Sequence, residues 1–160
     1  MNKKTINLLL EIISLIALIS GIFLVIVSVK RLPDNIPTHF SFNGIPDDTG
    51  NKNEIWLLPI MGGLIYVVLT FVGLLNKFMK RNDEKTAAVM GMVRSMILQL
   101  KLVFSLIFLS LIIGTILISD GQARGLGIGS TPTFLLLLAL VLVINIWRIG
   151  RALGSGNNKK

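Results

Sequence analysis

His39 and Asp47 are the one His–carboxylate combination this sequence offers within a single short polar stretch. If a turn brings them together, the pair has the chemistry of a general base or of a pH-sensing contact. No nucleophile with a recognisable motif accompanies them, and Thr38 and Ser41 read as ordinary strand hydroxyls, so no catalytic residue is assigned and the chain is not read as an enzyme. Two uses remain open: a loop network in which Asp47, Asp48 and Lys52 hold the segment closed, or a ligand-binding or pH-sensitive contact. A second set of polar residues lies inside apolar runs. Glu11, Lys101, Arg94 and Asn145 fall at similar depths on three predicted helices, and Arg94 and Lys101, seven apart, share one face. A charge at such depth must face protein or water and find a partner, so a cluster of Glu11 with Lys101, joined by Arg94 or Asn145, is expected. It would serve as a proton or ion relay, or as a pair that fixes helix register.

The elements that must position these groups are membrane spans. Of the 160 residues 52% are hydrophobic. The mean hydropathy is +0.77, beyond what a water-soluble domain carries in such long apolar runs. Cys is absent and His occurs once, so neither disulfides nor a dedicated zinc site is expected, and no cofactor is implied. The net charge is +8, but the basic residues flank apolar runs, which fits a bilayer and not nucleic acid.

The pattern predicts an all-α membrane protein in a single membrane domain with four transmembrane helices. The first covers 6–29; its apolar part is too long, and the residues after it too bulky, for a cleaved signal peptide. An outer loop covers 30–54, with Asn53 as a helix cap beside Glu54. The second span is 55–75, where Gly62 and Gly63 permit close helix approach. After an inner loop at 76–85, Asn82 caps a third helix over 83–119. At 1.5 Å per residue that helix is about 54 Å long, too long to lie wholly in a bilayer. A Gly-rich outer loop (119–131) leads to a Thr131 cap, a fourth span over 132–152 and a polar tail at 153–160.

Orientation follows from the sixteen Lys and Arg residues. Lys3, Lys4, Lys77, Lys80, Arg81, Lys85, Arg94, Lys101, Arg148, Arg151, Lys159 and Lys160 fall on one side. Lys30, Arg31, Lys52 and Arg124 fall on the other. Twelve against four predicts both termini in the cytoplasm and the 33–52 stretch outside.

That stretch holds three of the five prolines and three of the eight acidic residues. Thr38, Phe40 and Phe42 alternate with His39 and Ser41, and Asn43-Gly44 suits a two-residue turn. A short hairpin-like fold is expected, with Phe40 and Phe42 packed onto the helix ends. The spacing Pro33, Ile36-Pro37, His39, Gly44, Asp47, Gly50, Lys52 resembles a bacterial membrane domain of unknown function. That domain forms the N-terminal part of the SdpI-type immunity proteins, which protect cells against a secreted killing peptide. The resemblance covers the first half of the chain. It implies a multi-pass protein of the bacterial plasma membrane that senses or binds a peptide or envelope component through the outer loop. Pro33, Pro37, His39, Gly44, Asp47, Gly50 and Lys52 are the candidate residues. The expected partners are the lipid bilayer and a secreted peptide or another membrane protein, with homo-oligomerisation open. The competing readings are a small transport component acting as an oligomer and, less favoured, a membrane-embedded enzyme.

Overall fold

The computed structural model describes residues 2–79, 83–127 and 130–154. Asn82, expected as a cap, lies outside them, as do Lys80, Arg81, Gly129 and tail residues 155–160. Helix α1 (Lys3–Ser28) leads into a hairpin of β1 (Asn35–Phe40) and β2 (Pro46–Asn51). A 3₁₀ turn (Lys52–Trp56) then opens onto α2 (Leu57–Phe78), followed by α3 (Glu84–Ser119) and α4 (Ser130–Gly154). Among the described residues, four helices are long and apolar enough to cross a membrane, which fits a multi-pass membrane protein.

Helix α1 is built inside out relative to a helix of a soluble protein. The buried positions of α1 are Ser14, Ala17, Gly21, Val25 and Ser28, spaced three or four apart and mostly small. Its large residues, Ile16, Ile19, Phe23 and Ile26 among them, face outward. In water such a face would be a liability, whereas against lipid tails it costs nothing, and the small residues let backbones approach. Gly21 shows the closeness: a Cβ there would stand 3.0 Å from Ile112 Cδ1 of α3. Gly62 faces the Phe108 ring in the same way, while Gly63 meets nothing within 4 Å. Only the first of the two glycines is thus a contact point. Helix α3 is the common post, packed against α1, α2 and α4, whereas α1 and α2 barely touch.

The ends of the helices differ from the sequence expectation for local reasons. Asp83 caps α3 by accepting the Thr86 N–H at 2.8 Å. Asn51, not Asn53, caps the 3₁₀ turn: its side chain accepts from the Asn53 N–H at 2.9 Å, and Glu54 accepts from the Asn51 N–H at 3.1 Å. This reciprocal box needs an acid three residues after the cap, which Asn51 has and Asn53 lacks. Thr131 lies inside α4, which begins at Ser130.

An apolar core sits where the hairpin meets the helix ends: Val25, Leu32, Ile36, Ile55, Ile112 and Ile116. A two-stranded ribbon is marginal on its own. Here Ile36, 1% exposed, anchors it, and burying such a side chain is worth roughly 1.5–3 kcal/mol.

Candidate functional site

The hairpin turn is not the two-residue Asn-Gly turn expected. The Gly44 N–H donates to the Ser41 carbonyl at 2.8 Å and the Ser41 N–H to the Ile45 carbonyl at 2.9 Å, so Phe42 and Asn43 occupy the centre. Gly44, at φ +76°, takes the left-handed position after them, and among the described residues no non-glycine residue has positive φ. A primed two-residue turn would need Asn43 there as well. Phe42 therefore lies beyond the ladder, where strand alternation no longer applies, and is 64% exposed instead of packed. The inward face of β1 is carried by Ile36 and Pro37, with Phe40 half-buried. Irregularities on both sides of His39 shift the register. One adjoins Pro37, which has no N–H to give the ladder.

The turn brings His39 and Asp47 together, with Nδ1 and Oδ1 2.6 Å apart on the exposed face of the hairpin. Lys52 does not join them. Its ammonium pairs with Asp34 at 2.9 Å, and its N–H donates to the Asp34 carbonyl at 2.9 Å, closing the base of the hairpin. That hydrogen-bonded cation holds the Asp34 carboxyl below its ordinary value of 3.8. The Asp48 carboxylate is occupied by the N–H of Thr49 at 2.8 Å. Of the network expected from Asp47, Asp48 and Lys52, each member has a separate partner.

The glycines and prolines of the motif do different things. Gly50 leaves room for the Glu54 carboxylate, whose oxygens would stand 2.7 Å from a Cβ there. The Gly44 carbonyl accepts the Leu126 N–H at 2.7 Å, tying the hairpin tip to the α3–α4 connection. Gly125 lies against the same carbonyl, 2.7 Å from where its Cβ would be. Pro37 is buried and Pro33 exposed. Arg31 adds a further tie, an ion pair with Asp120 at 3.0 Å between the ends of α1 and α3. Beneath β1 lies a groove of about 290 Å³, walled by Ile36, Pro37, Phe40, Leu58, Leu111 and Leu126, with His39 and Glu54 also on its lining.

The second candidate site lies toward the other end of α1. The Lys101 ammonium donates to Glu11 Oε1 at 2.7 Å. Tyr66, which the sequence reading passed over, donates its hydroxyl to the same oxygen at 2.7 Å, and its ring lies 4.3 Å below the Lys101 nitrogen. The Lys101 side chain is 4% exposed and that of Glu11 36%. Arg94 borders the same cleft. Asn145 is elsewhere: its Nδ2 donates to Gln99 Oε1 at 2.8 Å and to the Val141 carbonyl at 2.7 Å. Gln99 and Lys101 are two apart on α3 and point to different sides, so α4 meets one and α1 the other.

Residues 15–63 match a family model, Domain of unknown function (DUF1648). The DUF1648 match takes in the later part of α1, the whole hairpin, the 3₁₀ turn and the start of α2. It thus includes His39, Asp47 and every other candidate of the loop motif, and leaves out Glu11 and Lys101. No curated protein matches the chain, and no solved structure does. Among the described residues, no group of three or more His, Cys, Asp or Glu side chains converges as a metal ion would need.

Proposed function

We propose that this chain is a membrane-embedded binding protein that recognises a peptide or envelope component through its hairpin, in the manner of the immunity proteins its loop motif resembles. The observation that carries this reading is the apolar groove of about 290 Å³ under β1, with His39 on its lining and the His39–Asp47 pair on the strand above. A groove walled mainly by apolar side chains and edged by few polar groups suits an apolar peptide segment. Phe42 and Ile45, both more than half exposed at the tip, add apolar surface beside it. The Lys and Arg count turns this face outward, toward secreted ligands. Binding is preferred to catalysis because no nucleophile with a recognisable motif accompanies the pair, and the Ser41 hydroxyl donates to the Ile45 carbonyl at 3.0 Å.

The test is a challenge with secreted antimicrobial peptides of cells lacking the protein. The native chain restores survival, and His39→Ala and Asp47→Ala, expressed at native level in the membrane, do not. Equal rescue by both variants removes the site. Because the chain has no Cys, a single Ser41→Cys reports the orientation cleanly, and it reacts with an impermeant thiol reagent added outside.

The transport reading has the Glu11–Lys101–Tyr66 cluster in its favour. Under it, Glu11→Ala and Lys101→Ala abolish ion or proton flux in vesicles. Unchanged flux in both eliminates it.

A further inference from the structure

At the end of the bundle away from the hairpin, α1 and α2 stand apart and leave a cleft of about 530 Å³ floored by α3. Its lining includes three cations, Lys4, Arg94 and Lys101, against one carboxylate, Glu11. Glu11 is consumed by Lys101. Among the described residues, no carboxylate forms a contact ion pair with Arg94 or Lys4; Glu11 acts on Arg94 only through space, so the cleft keeps two cations in excess of its one carboxylate. Its walls are apolar, with Leu8, Leu69 and Leu74 among them. Asn76 lines it too; its Nδ2 is spent on the Met90 carbonyl at 3.0 Å, and its buried Oδ1 has no donor. An unmet buried acceptor is costly, and a hydroxyl-bearing ligand relieves it.

We infer that this cleft is a site for the headgroup of an anionic phospholipid, its phosphate on Arg94 and Lys4 and a headgroup hydroxyl on Asn76. Phosphatidylglycerol has both groups. The favoured source of the phosphate is lipid because the cleft lies between two membrane helices that stand apart and reaches from the first turn of α1 to Glu11. That is about 10 Å along the helix. A lipid phosphate already lies at the interface with its acyl chains against such walls, whereas a free anion would have to leave water to enter. Basic pockets between membrane helices commonly hold headgroups in this way. The site is independent of the hairpin and of the role proposed for it.

The test is native mass spectrometry of the full chain in detergent, titrated with phosphatidylglycerol, with phosphatidylcholine, and with phosphatidylglycerol plus inorganic phosphate. Phosphatidylglycerol is retained in preference to phosphatidylcholine, and inorganic phosphate does not displace it. Arg94→Gln weakens its binding about fivefold, the value of one basic residue near an anionic surface. Arg148→Gln, an equal loss of charge outside the cleft, leaves it unchanged. If Arg94→Gln does not give a monodisperse protein, Lys4→Gln, at an exposed position in the first turn of α1, replaces it with the same expectation. The inference is overturned by equal retention of the two lipids, by displacement with inorganic phosphate, or by equal effects of the cleft variant and Arg148→Gln.

Discussion

The Glu11–Lys101 pair makes an asymmetric prediction. Its two members are unequally covered: the Lys101 side chain is 4% exposed and the Glu11 side chain 36%. Glu11→Leu leaves an ammonium buried with only the Tyr66 ring for company, and breaking a buried pair from that side costs about 3 kcal/mol or more. Lys101→Met instead leaves a less deeply covered carboxylate that lines the cleft and still accepts the Tyr66 hydroxyl at 2.7 Å. Its cost is about 1 kcal/mol, the scale of one interhelical hydrogen bond in a bilayer. The double variant loses far less than the sum, because a buried ion pair exchanged for apolar side chains is close to neutral. The assay is reversible unfolding of all four proteins in one mixed-micelle system, read by helical circular dichroism. A Lys101→Met cost equal to or above that of Glu11→Leu would refute the argument from unequal burial. Additive losses would refute the pairing itself.

Other changes have equally definite outcomes. Ile36→Ala empties the anchor of the hairpin and lowers stability by about 3 kcal/mol, seen as a lower thermal midpoint in detergent. Gly125→Ala pushes a methyl group against the Gly44 carbonyl, at an overpacking cost of about 1–3 kcal/mol. It speeds hydrogen exchange at the Leu126 amide and spares amides near Lys101. The Asp34 carboxyl, held low by Lys52, contributes stability above its unfolded value of 3.8 and loses it as pH falls through the lower folded value. Acid below 3.8 therefore loosens the base of the hairpin, and Asp34→Asn removes this dependence; exchange at the Lys52 amide across an acid titration reads both.

The membrane architecture was legible because apolar runs of bilayer length need no tertiary context to be recognised. Glu11 and Lys101 were legible as partners for a related reason: in apolar runs each is a lone charge at matching depth. Tyr66 escaped because a phenol within an apolar stretch gives no sign that its hydroxyl is in use. Asn145 matches Glu11 in depth but meets α3 on the side of Gln99, and depth alone does not tell the side. In the hairpin, His39 and Asp47 were readable as neighbours across a turn. The Asp34–Lys52 pair was not legible: the Asn43-Gly44 turn expected from the sequence does not set those two opposite each other, and the observed turn and the register shifts beside His39 do. The displacement of Phe42 into the turn depended on Asn43 keeping negative φ, a choice between turn types that the Asn-Gly dipeptide leaves open. The contact of Gly44 with Leu126 joins segments far apart in the chain and has no local signature.

That contact is made by main-chain atoms on both sides, a carbonyl and an amide 2.7 Å apart. Every amino acid but proline supplies the amide, so truncating Leu126 to alanine leaves the link intact, and only a group wedged between the two segments, as at Gly125, disturbs it. Whatever force a bound molecule exerts on the ribbon's apex can pass to the connection leading into the last helix without the help of any side chain.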